Sequence, residues 1–434
     1  MENNLINTGV QWLPSIPSNW KLTRVNKLFY LAKDKVSDPN PTVLSLARDG
    51  VKVRDISNNE GQLAESYDNY SRVIPGDLLL NPMDLQSGAN CNMSEISGII
   101  SPAYLKLRAL NDDVNPKFFD YYFKTQYWTM AMFAHGKGVS FDHRWTLNAD
   151  TLLHYEVPFP PRKEQDAIVN KLKRALSLAD SLIGNEKSQI ERLKEYRRSL
   201  IGEIVTKGLN KCAKMKNSGV EWIEKIPEAW KVYPLKSMFS FGKGLPITKE
   251  NLVPTGEKVI SYGQLHAKYN ISISLVPEMF RYVSNSYLQS NPECIVNRGD
   301  FIMADTSEDR EGTCDFVRIN SSDLIFAGYH SIILRANNPL YSEYFAYLFL
   351  SDYWRDQFRR RVGGVKLFSL TKKMLSTGSV ILPPEEDLYE IVTYLNSITL
   401  PISQVIDKKT SQIGCLEDYK KSLIYEYVMG KRRG

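Results

Sequence analysis

The segment Asn7-Thr8-Gly9-Val10-Gln11-Trp12 decides the organisation of this chain, because it occurs twice. It returns as Asn217-Ser218-Gly219-Val220-Glu221-Trp222, at an offset of 210 residues (7 to 217). In both copies an Ile-Pro pair and a second tryptophan follow, Trp20 in the first and Trp230 in the second. Self-similarity at a long offset is the signature of an internal duplication. The sequence therefore predicts two related halves.

Further matches between the two halves show where the chain tolerates insertions. The turn Pro75-Gly76-Asp77-Leu78-Leu79 matches Arg298-Gly299-Asp300-Phe301-Ile302 at an offset of 223 (75 to 298), so the offset drifts within the globular parts. The double prolines at 160–161 and 383–384 match at 223, and this offset then holds without a gap as far as Glu203 and Glu426. The segment after each double proline therefore resists changes in length.

These two constant segments each carry a helical period of apolar residues. Steps of four and three residues connect Ile168, Leu172, Ala175, Ala179, Leu182, Glu186, Gln189, Leu193, Tyr196, Leu200 and Glu203, and likewise Ile391, Leu395, Ile398, Ile402, Val405, Lys409, Gln412, Leu416, Tyr419, Leu423 and Glu426. Such steps are typical of a coiled-coil heptad seam. Only the basic linker 207–216 separates the first helix from the second half, which favours antiparallel pairing. The alternative is that each helix packs on its own domain as an amphipathic stripe.

Length and composition limit the class of protein. The 434 residues allow two to four domains, and 43% hydrophobic with 24% charged residues is typical of a globular chain. The sequence contains no recognisable secretion signal and no long apolar run, and its five scattered cysteines favour a reducing compartment, so we expect a cytoplasmic protein without a membrane segment. A net charge of +6 is compatible with a polyanionic partner but does not require one.

The motifs of an independent enzyme are missing. Gly136-Lys137-Gly138 and Gly242-Lys243-Gly244 lack the third glycine of a dinucleotide-binding loop. Asn81-Pro82-Met83-Asp84 resembles the N-P-P-[YF] loop of DNA amino-methyltransferases but lacks the second proline and the aromatic residue. The five histidines have no metal-type spacing. We therefore expect no catalytic residue and no metal site, and favour a binding protein with two reading heads over a duplicated enzyme.

Recognition of double-stranded DNA would explain both the duplicated halves and the missing enzyme motifs. Loops that combine glycine with Lys, Arg, Asn, Gln, Tyr or His can approach phosphates and present forked donors to base edges. The candidate DNA-binding residues are Ser45, Arg48, Asn81, Gln86, Asn90, Lys137 and Arg144 in the first half, and Lys243, Tyr262, Gln264, His266, Lys268, Arg310 and Arg361 in the second. For each of them an ordinary surface role is the alternative, and Tyr262 also suits a core position.

The repeated N-[ST]-G-V-x-W, the Pro-Gly-Asp-Leu-Leu turn, the double proline with Glu164-Gln165 and the closing Tyr-x-x-Ser-Leu-Ile together resemble the specificity subunits of type I restriction-modification systems. The resemblance covers essentially the whole chain, although the second copy has Glu385-Glu386-Asp387 in place of the Glu-Gln form. It implies an α+β chain with two pseudo-symmetric α/β target recognition domains, 1–160 and 217–384. They are separated by a long antiparallel two-helix coiled coil of spacer helices 161–208 and 385–430.

The same resemblance implies a non-catalytic subunit of a larger complex. It would read a bipartite target, one half-site per recognition domain, and position two methyltransferase subunits that methylate adenine at N6 and, in the full complex, restriction subunits. The chain itself would carry no cofactor, since S-adenosylmethionine, ATP and magnesium belong to the partner subunits. A DNA- or phosphate-binding scaffold without sequence preference is the alternative, and a purely structural coiled-coil protein is the third.

Overall fold

The computed structural model describes residues 5–34, 41–55, 67–83, 85, 91–138, 145–364 and 367–432. The chain forms two compact units, one of Met1–Lys187 with Thr410–Gly434 and the other of Ser188–Lys409. Two long helices, α3 (Arg162–Lys207) and α10 (Glu385–Val428), contribute residues to both units. Among the described residues no helix is long and apolar enough to cross a membrane.

The first unit is built from short antiparallel strands and two further helices. Its helices are α1 (Pro116–Trp128) and α2 (Ala149–His154). Its paired strands are β1 (Leu5–Val10) with β2 (Leu13–Pro17), β3 (Lys21–Arg24) with β12 (Glu156–Phe159), β5 (Leu44–Ala47) with β6 (Gly50–Val53), and β7 (Ser71–Val73) with β10 (Gly98–Ile100). A four-stranded sheet has the order β4 (Phe29–Leu31), β11 (Leu105–Ala109), β8 (Leu78–Leu80), β9 (Cys91–Met93).

The second unit has a similar plan, but one of its sheets has five strands. Its helices are α4 (Leu235–Met238), α5 (Tyr262–Leu265), α6 (Tyr287–Ser290), α7 (Ser342–Leu350), α8 (Asp352–Arg359) and α9 (Lys372–Ser376). Its paired strands are β13 (Met215–Val220) with β14 (Ile223–Pro227), β15 (Lys231–Pro234) with β27 (Ser379–Leu382), and β22 (Thr306–Ser307) with β26 (Phe368–Ser369). A four-stranded sheet has the order β16 (Phe239–Lys243), β25 (Ser331–Ala336), β21 (Phe301–Ala304), β23 (Phe316–Arg318). A five-stranded sheet has the order β17 (Leu252–Val253), β19 (Arg281–Val283), β18 (Glu257–Ile260), β24 (Ile325–Ala327), β20 (Ile295–Val296).

The same four-stranded sheet occurs in each unit. Both sheets are fully antiparallel, and the order β4-β11-β8-β9 corresponds strand by strand to β16-β25-β21-β23. The repeated Gly-Asp turn precedes the third strand in that order in each unit. The apolar, β-branched runs 258–262 and 331–334 are typical of strands. Residues 331–334 lie in β25, whereas β18 ends at Ile260 and Tyr262 begins α5. The α+β class is confirmed.

Each half has a segment rich in aromatic residues, near 116–134 and near 339–360, whose sequence predicts one helix, and the two copies differ. In the first unit Asn115 caps α1 by accepting hydrogen bonds from the backbone N–H groups of Lys117 and Phe118. In the second unit the predicted helix near 339–360 is two helices, α7 and α8, because Ser351 takes an extended conformation between them. Splitting the helix lets Trp354 bury completely and contact Phe349, with ring centroids 4.1 Å apart.

The buried face of the two long helices differs from the predicted heptad seam. One continuous line of buried or half-buried residues runs along each helix: Ile168, Leu172, Ala175, Ala179, Ile183, Glu186, Ile190, Leu193, Arg197, Ile201 and Ile204 in α3, and Ile391, Leu395, Ile398, Ile402, Ile406, Lys409, Ile413, Leu416, Lys420, Ile424 and Tyr427 in α10. Ten steps cover 36 residues in each helix (168 to 204, 391 to 427), which is the 3.6-residue period of a straight α-helix. The heptad assignment is therefore wrong where it required burial of Leu182, Tyr196, Val405 and Tyr419, which are 45%, 57%, 40% and 51% exposed.

Within each unit, segments of the two long helices share one core. In the first unit Ile168 and Leu172 of α3 cluster with Leu423 and Ile424 of α10. In the second unit, Lys409 donates a 2.6 Å hydrogen bond to Gln189, and Arg197 donates a 2.9 Å bond to Ser403. Residue numbers rise along one helix and fall along the other, so the segments of α3 and α10 in the second unit run antiparallel.

Candidate nucleic-acid interface

His266 is at the centre of the best-defined polar cluster of the second unit. Its Nδ1 lies 2.9 Å from Oδ2 of Asp315, and its Nε2 lies 2.9 Å from the carbonyl oxygen of Thr306. Both partners only accept hydrogen bonds, so both bonds form only when the imidazole carries two protons. Burial lowers the pKa of His266, but the bonds to Asp315 and Thr306 outweigh it, so that the pKa is raised above its ordinary value. Both ring nitrogens are thus engaged within the protein, and His266 acts as a positioning residue.

Asp315 joins His266 to a buried arginine. Its Oδ1 accepts a 2.7 Å hydrogen bond from Nη1 of Arg355, whose Nε donates to the carbonyl of Phe349 at 2.8 Å. Burial raises the pKa of Asp315, but the two cationic neighbours hold it below the ordinary value of 3.8. This network holds the residues between β21 and β23 against α5 and α8.

Tyr262 and Gln264 lie on the single turn of α5. The side chain of Gln264 accepts a 3.1 Å hydrogen bond from the backbone N–H of Ser261, completing a capping box. The Tyr262 ring packs edge-on against His266 with centroids 4.7 Å apart, and its hydroxyl lies 3.5 Å from Glu308. Tyr262 is half-buried. Both residues therefore support the neighbouring loop, and Gln264 has its acceptor oxygen committed to the backbone.

Arg310 lies in the loop between β22 and β23. Its side chain is exposed, and its guanidinium carbon lies 5.5 Å from the centroid of the Phe368 ring on β26. The contacts of Tyr262 and His266 thus place three of the predicted residues around one loop. Sequence reasoning missed Phe368. It lies two residues before Leu370, whose N–H donates to the carbonyl of Asp305, and the offset of 223 matches it to Trp145 in the first half.

The remaining predicted residues of the second unit are surface cations on other elements. Lys243 is exposed at the end of β16, and Lys268 is exposed after α5. Arg361 is exposed just after α8, where its Nη2 donates a 2.8 Å hydrogen bond to Thr377. Lys243 and Arg361 suit phosphate contacts, because each offers a charge at the surface of a glycine-containing loop.

In the first unit, two predicted residues lie on the β5–β6 hairpin. Ser45 is on β5, and its hydroxyl lies 3.4 Å from the carbonyl of Lys52 on the paired strand. Arg48 is exposed in the turn. A hairpin with a basic tip is a suitable shape for a groove or a phosphate contact. The predicted residues Gln86, Asn90 and Arg144 lie outside the described residues.

Asn81 and Lys137 are brought together by backbone pairing around one loop. The carbonyl of Asn81 accepts a 2.7 Å hydrogen bond from the Tyr127 hydroxyl. Lys137 exchanges backbone hydrogen bonds of 2.9 and 3.0 Å with Thr146 and leaves its side chain exposed. A Cβ atom on Gly136 would come within 2.3 Å of the Trp145 ring, so the close approach of these strands requires glycine there.

Each unit has an equivalent backbone hydrogen bond next to this loop. The N–H of Leu147 donates to the carbonyl of Pro82 at 2.7 Å, and the N–H of Leu370 donates to that of Asp305 at 2.7 Å. Both pairs obey the offset of 223 (82 to 305, 147 to 370). The repeat alignment therefore contained the signal that this loop pairing is common to both halves. Among the described residues no cluster of His, Cys, Asp and Glu could hold a metal ion.

Comparison with known proteins agrees with this architecture. Residues 227–413 match the family described as the Type I restriction modification DNA specificity domain. The chain is 22% identical over 96% of its length to the type I restriction enzyme MjaVIII specificity subunit of Methanocaldococcus jannaschii, of which it covers 94%. It is 24% identical over 66% of its length to the putative type I restriction enzyme MjaX specificity subunit of the same organism, of which it covers 62%.

A solved structure shows the same fold. It comes from a study of complex assembly and conformational transition of the type I restriction-modification system, with a TM-score of 0.67 and 14% identity. The match covers 96% of this chain and 99% of the other. These findings confirm the resemblance carried by the repeated motifs: the chain is similar over almost its whole length to specificity subunits of type I restriction-modification systems, and its residues 227–413 match their DNA specificity domain.

Proposed function

We propose that this chain reads a bipartite target on double-stranded DNA, one half-site with each globular part. The observation that carries the proposal is the repeated sheet: β8 and β9 in one unit and β21 and β23 in the other frame the same connection, at which predicted DNA-binding residues lie. Two related reading heads on one chain suit two half-sites on a duplex. The family match supports DNA recognition by residues 227–413.

The two long helices serve as a spacer between the half-sites. Their sequences keep the offset of 223 without a gap, and α3 and α10 have 46 and 44 residues. Spacing along DNA is set by its helical geometry, so the length of a spacer must be conserved while loops vary. A pseudo-twofold arrangement with an antiparallel two-helix coiled coil fits this role.

The chain carries no catalysis of its own and positions its partners. Two methyltransferase subunits that act on adenine N6 and, in the full complex, restriction subunits bind it, and they hold S-adenosylmethionine, ATP and magnesium. The absence of nucleotide and methyltransferase motifs in the sequence supports this division. The solved relative concerns complex assembly in a type I system, which supports partner binding.

Exposed apolar residues on the long helices supply a surface for such partners. Leu182 and Tyr196 on α3 are exposed, and so are Val405 and Tyr419 at the equivalent positions of α10. Both pairs obey the offset of 223 (182 to 405, 196 to 419), so each helix carries the same two exposed apolar positions. Their recurrence in both copies is the reason to test these positions as partner contacts.

The test is co-expression with the cognate methyltransferase, followed by a survey of methylated adenines in the host genome. We expect one motif made of two half-sites separated by a fixed number of unspecified base pairs. Methylation without a common motif would favour the alternative, a DNA- or phosphate-binding scaffold without sequence preference. Failure of the chain to co-purify with a methyltransferase would contradict the role in the complex.

A further inference from the structure

The loop 307–312, with the sequence Ser-Glu-Asp-Arg-Glu-Gly, is held rigidly from below. Thr306 precedes the loop, and its carbonyl oxygen accepts a hydrogen bond from His266. His266 also binds Asp315, which follows the other end of the loop. The N–H of Asp315 donates to the carbonyl of Gly312 at 3.0 Å. One half-buried imidazole therefore fixes both ends of the loop.

Further bonds fix the loop itself. Oδ1 of Asp309 accepts a 2.7 Å hydrogen bond from the N–H of Gly312, and Nη2 of Arg359 donates to the carbonyl of Glu311 at 2.7 Å. The N–H of Thr313 donates to the carbonyl of Arg310 at 3.2 Å. A loop with these internal bonds presents its side chains from a fixed backbone, which is the condition for selective readout.

Arg310 is the residue that this loop presents. Its guanidinium lies over the face of Phe368, 5.5 Å from the ring centroid, and its side chain is exposed. Stacking of this kind orients the planar guanidinium while its edge keeps N–H donors for a second partner. The side chain is therefore prepared to form a forked pair of hydrogen bonds.

The charge of the loop decides between the two acceptors that DNA offers. Glu308, Asp309 and Glu311 flank Arg310 in the sequence, so the loop itself carries three carboxylates and one guanidinium. Arg359 lies 3.7 Å from Glu311 and offsets part of this negative charge. Three negative charges oppose close approach of a phosphate. At base edges the same residue types are favourable, because arginine pairs with O6 and N7 of guanine and carboxylates accept from N4 of cytosine.

We propose that Arg310 reads the guanine of one G·C base pair in the half-site recognised by the second unit, with its orientation set by Phe368 and the loop by His266. This inference rests on the proposed function, since it assigns a base contact within that recognition. It distinguishes Arg310 from Lys243 and Arg361, which lie on other loops and suit phosphates.

The experiment compares methylated motifs of complexes containing the full-length parent chain, Arg310→Ala, Arg310→Gln and Arg281→Ala. Arg281 is a matched control: it is an exposed arginine of the same unit, and its Nη1 donates to the carbonyls of Glu278 and Phe280. Thermal melting and co-purification with the methyltransferase check that each variant folds. Because Arg310 is exposed, we expect all variants to pass.

We expect Arg310→Ala to relax one guanine position of one half-site by about tenfold or more, with the other half-site unchanged. Arg310→Gln should shift that position towards adenine, which glutamine pairs with. Arg281→Ala should leave the motif unchanged.

Two results would overturn the inference. If Arg310→Ala keeps the parental motif, or weakens all sequences equally, Arg310 reads no base, while the proposed function stands. If the parent complex itself methylates no common motif, the proposed function fails and the inference fails with it.

Discussion

Nδ1 of His266 lies 2.9 Å from Oδ2 of Asp315, although the two residues are 49 positions apart in the chain. The pair connects α5 to the end of the loop that carries Arg310, and Thr306 accepts from the other ring nitrogen. Protonation of His266 therefore stabilises the loop 307–312.

The first prediction concerns the pH dependence of this pair. Because pairing raises the pKa of His266 above 6.5, its stabilisation is fully present below pH 6.5 and is lost as the pH rises through the raised value. Asp315, with a lowered pKa, contributes stability that is lost only as the pH falls below 3.8. We expect His266→Gln to lower the free energy of unfolding by about 1–3 kcal/mol near pH 6, and by less at higher pH.

Denaturant unfolding of parent and variant across pH 5–9 measures this difference. His154→Gln is the control, because His154 is 52% exposed and its loss should change stability little. A difference between parent and His266→Gln that does not shrink above pH 7 would show that His266 is not held as a cation.

The second prediction compares the two copies of the Gly-Asp turn. Asp77 is fully buried and binds Arg108 through two bonds, 2.7 Å to Nε and 2.9 Å to Nη2. Asp300 makes one 3.3 Å bond to Arg335. Asp77→Asn weakens two short charged hydrogen bonds at a fully buried site, although Arg108 keeps its ion pair with Asp34 at 2.7 Å. We therefore expect Asp77→Asn to cost about 1–3 kcal/mol of unfolding free energy and Asp300→Asn clearly less. Equal losses in thermal or denaturant unfolding would contradict this order.

The third prediction concerns phosphate contacts. Lys137, Lys243 and Arg361 are exposed on glycine-containing loops. Replacing one of them with alanine should weaken binding to all sequences and reduce the slope of log K against log salt by about one unit. Lys225→Ala, which removes an exposed lysine on β14, is the control and should leave the slope unchanged. An unchanged slope for all three variants would remove them from the footprint.

The fourth prediction tests the spacer. Seven residues inserted after Glu186 and seven after Lys409 lengthen each helix by about 10 Å and rotate the buried face by only about 20°. At 3.4 Å per base pair, the unspecified spacer of the target should lengthen by roughly three base pairs, with both half-sites unchanged. The methylated motif provides the measurement. The same insertion in one helix only should impair assembly of the complex. If the double insertion leaves the spacer of the target unchanged, the long helices do not set the distance between the half-sites.

The fifth prediction concerns partner binding by the long helices. Tyr196 and Tyr419 are exposed at equivalent positions, so replacing both with glutamate should place charge in the proposed contact and reduce co-purification with the methyltransferase at least tenfold, an effect on the order of 1.4 kcal/mol. Leu340→Glu is the control, because Leu340 is 64% exposed and lies outside the long helices. Full retention of the methyltransferase by the double variant would exclude these tyrosines from the interface.

The sequence by itself determined the duplication, the α+β class, the two long helices and the likeness to type I specificity subunits. Each of these depends on information that is local or repeated: a motif copied at a long offset, an apolar run of strand length, or a helical period that follows a double proline. The pairing of Leu147 with Pro82 and of Leu370 with Asp305 was also contained in the offset of 223, since equivalent residues take equivalent positions.

Tertiary structure decided which face of the helices is buried and which side chains surround Arg310. A heptad and a 3.6-residue period differ by about 20° per heptad, so over five heptads the assignment drifts from Ile183 to Leu182 and from Arg197 to Tyr196. Only packing distinguishes the two. The contacts of His266 with Asp315 and of Arg310 with Phe368 join segments 49 and 58 residues apart, and they depend on how the intervening strands return, which no local pattern encodes.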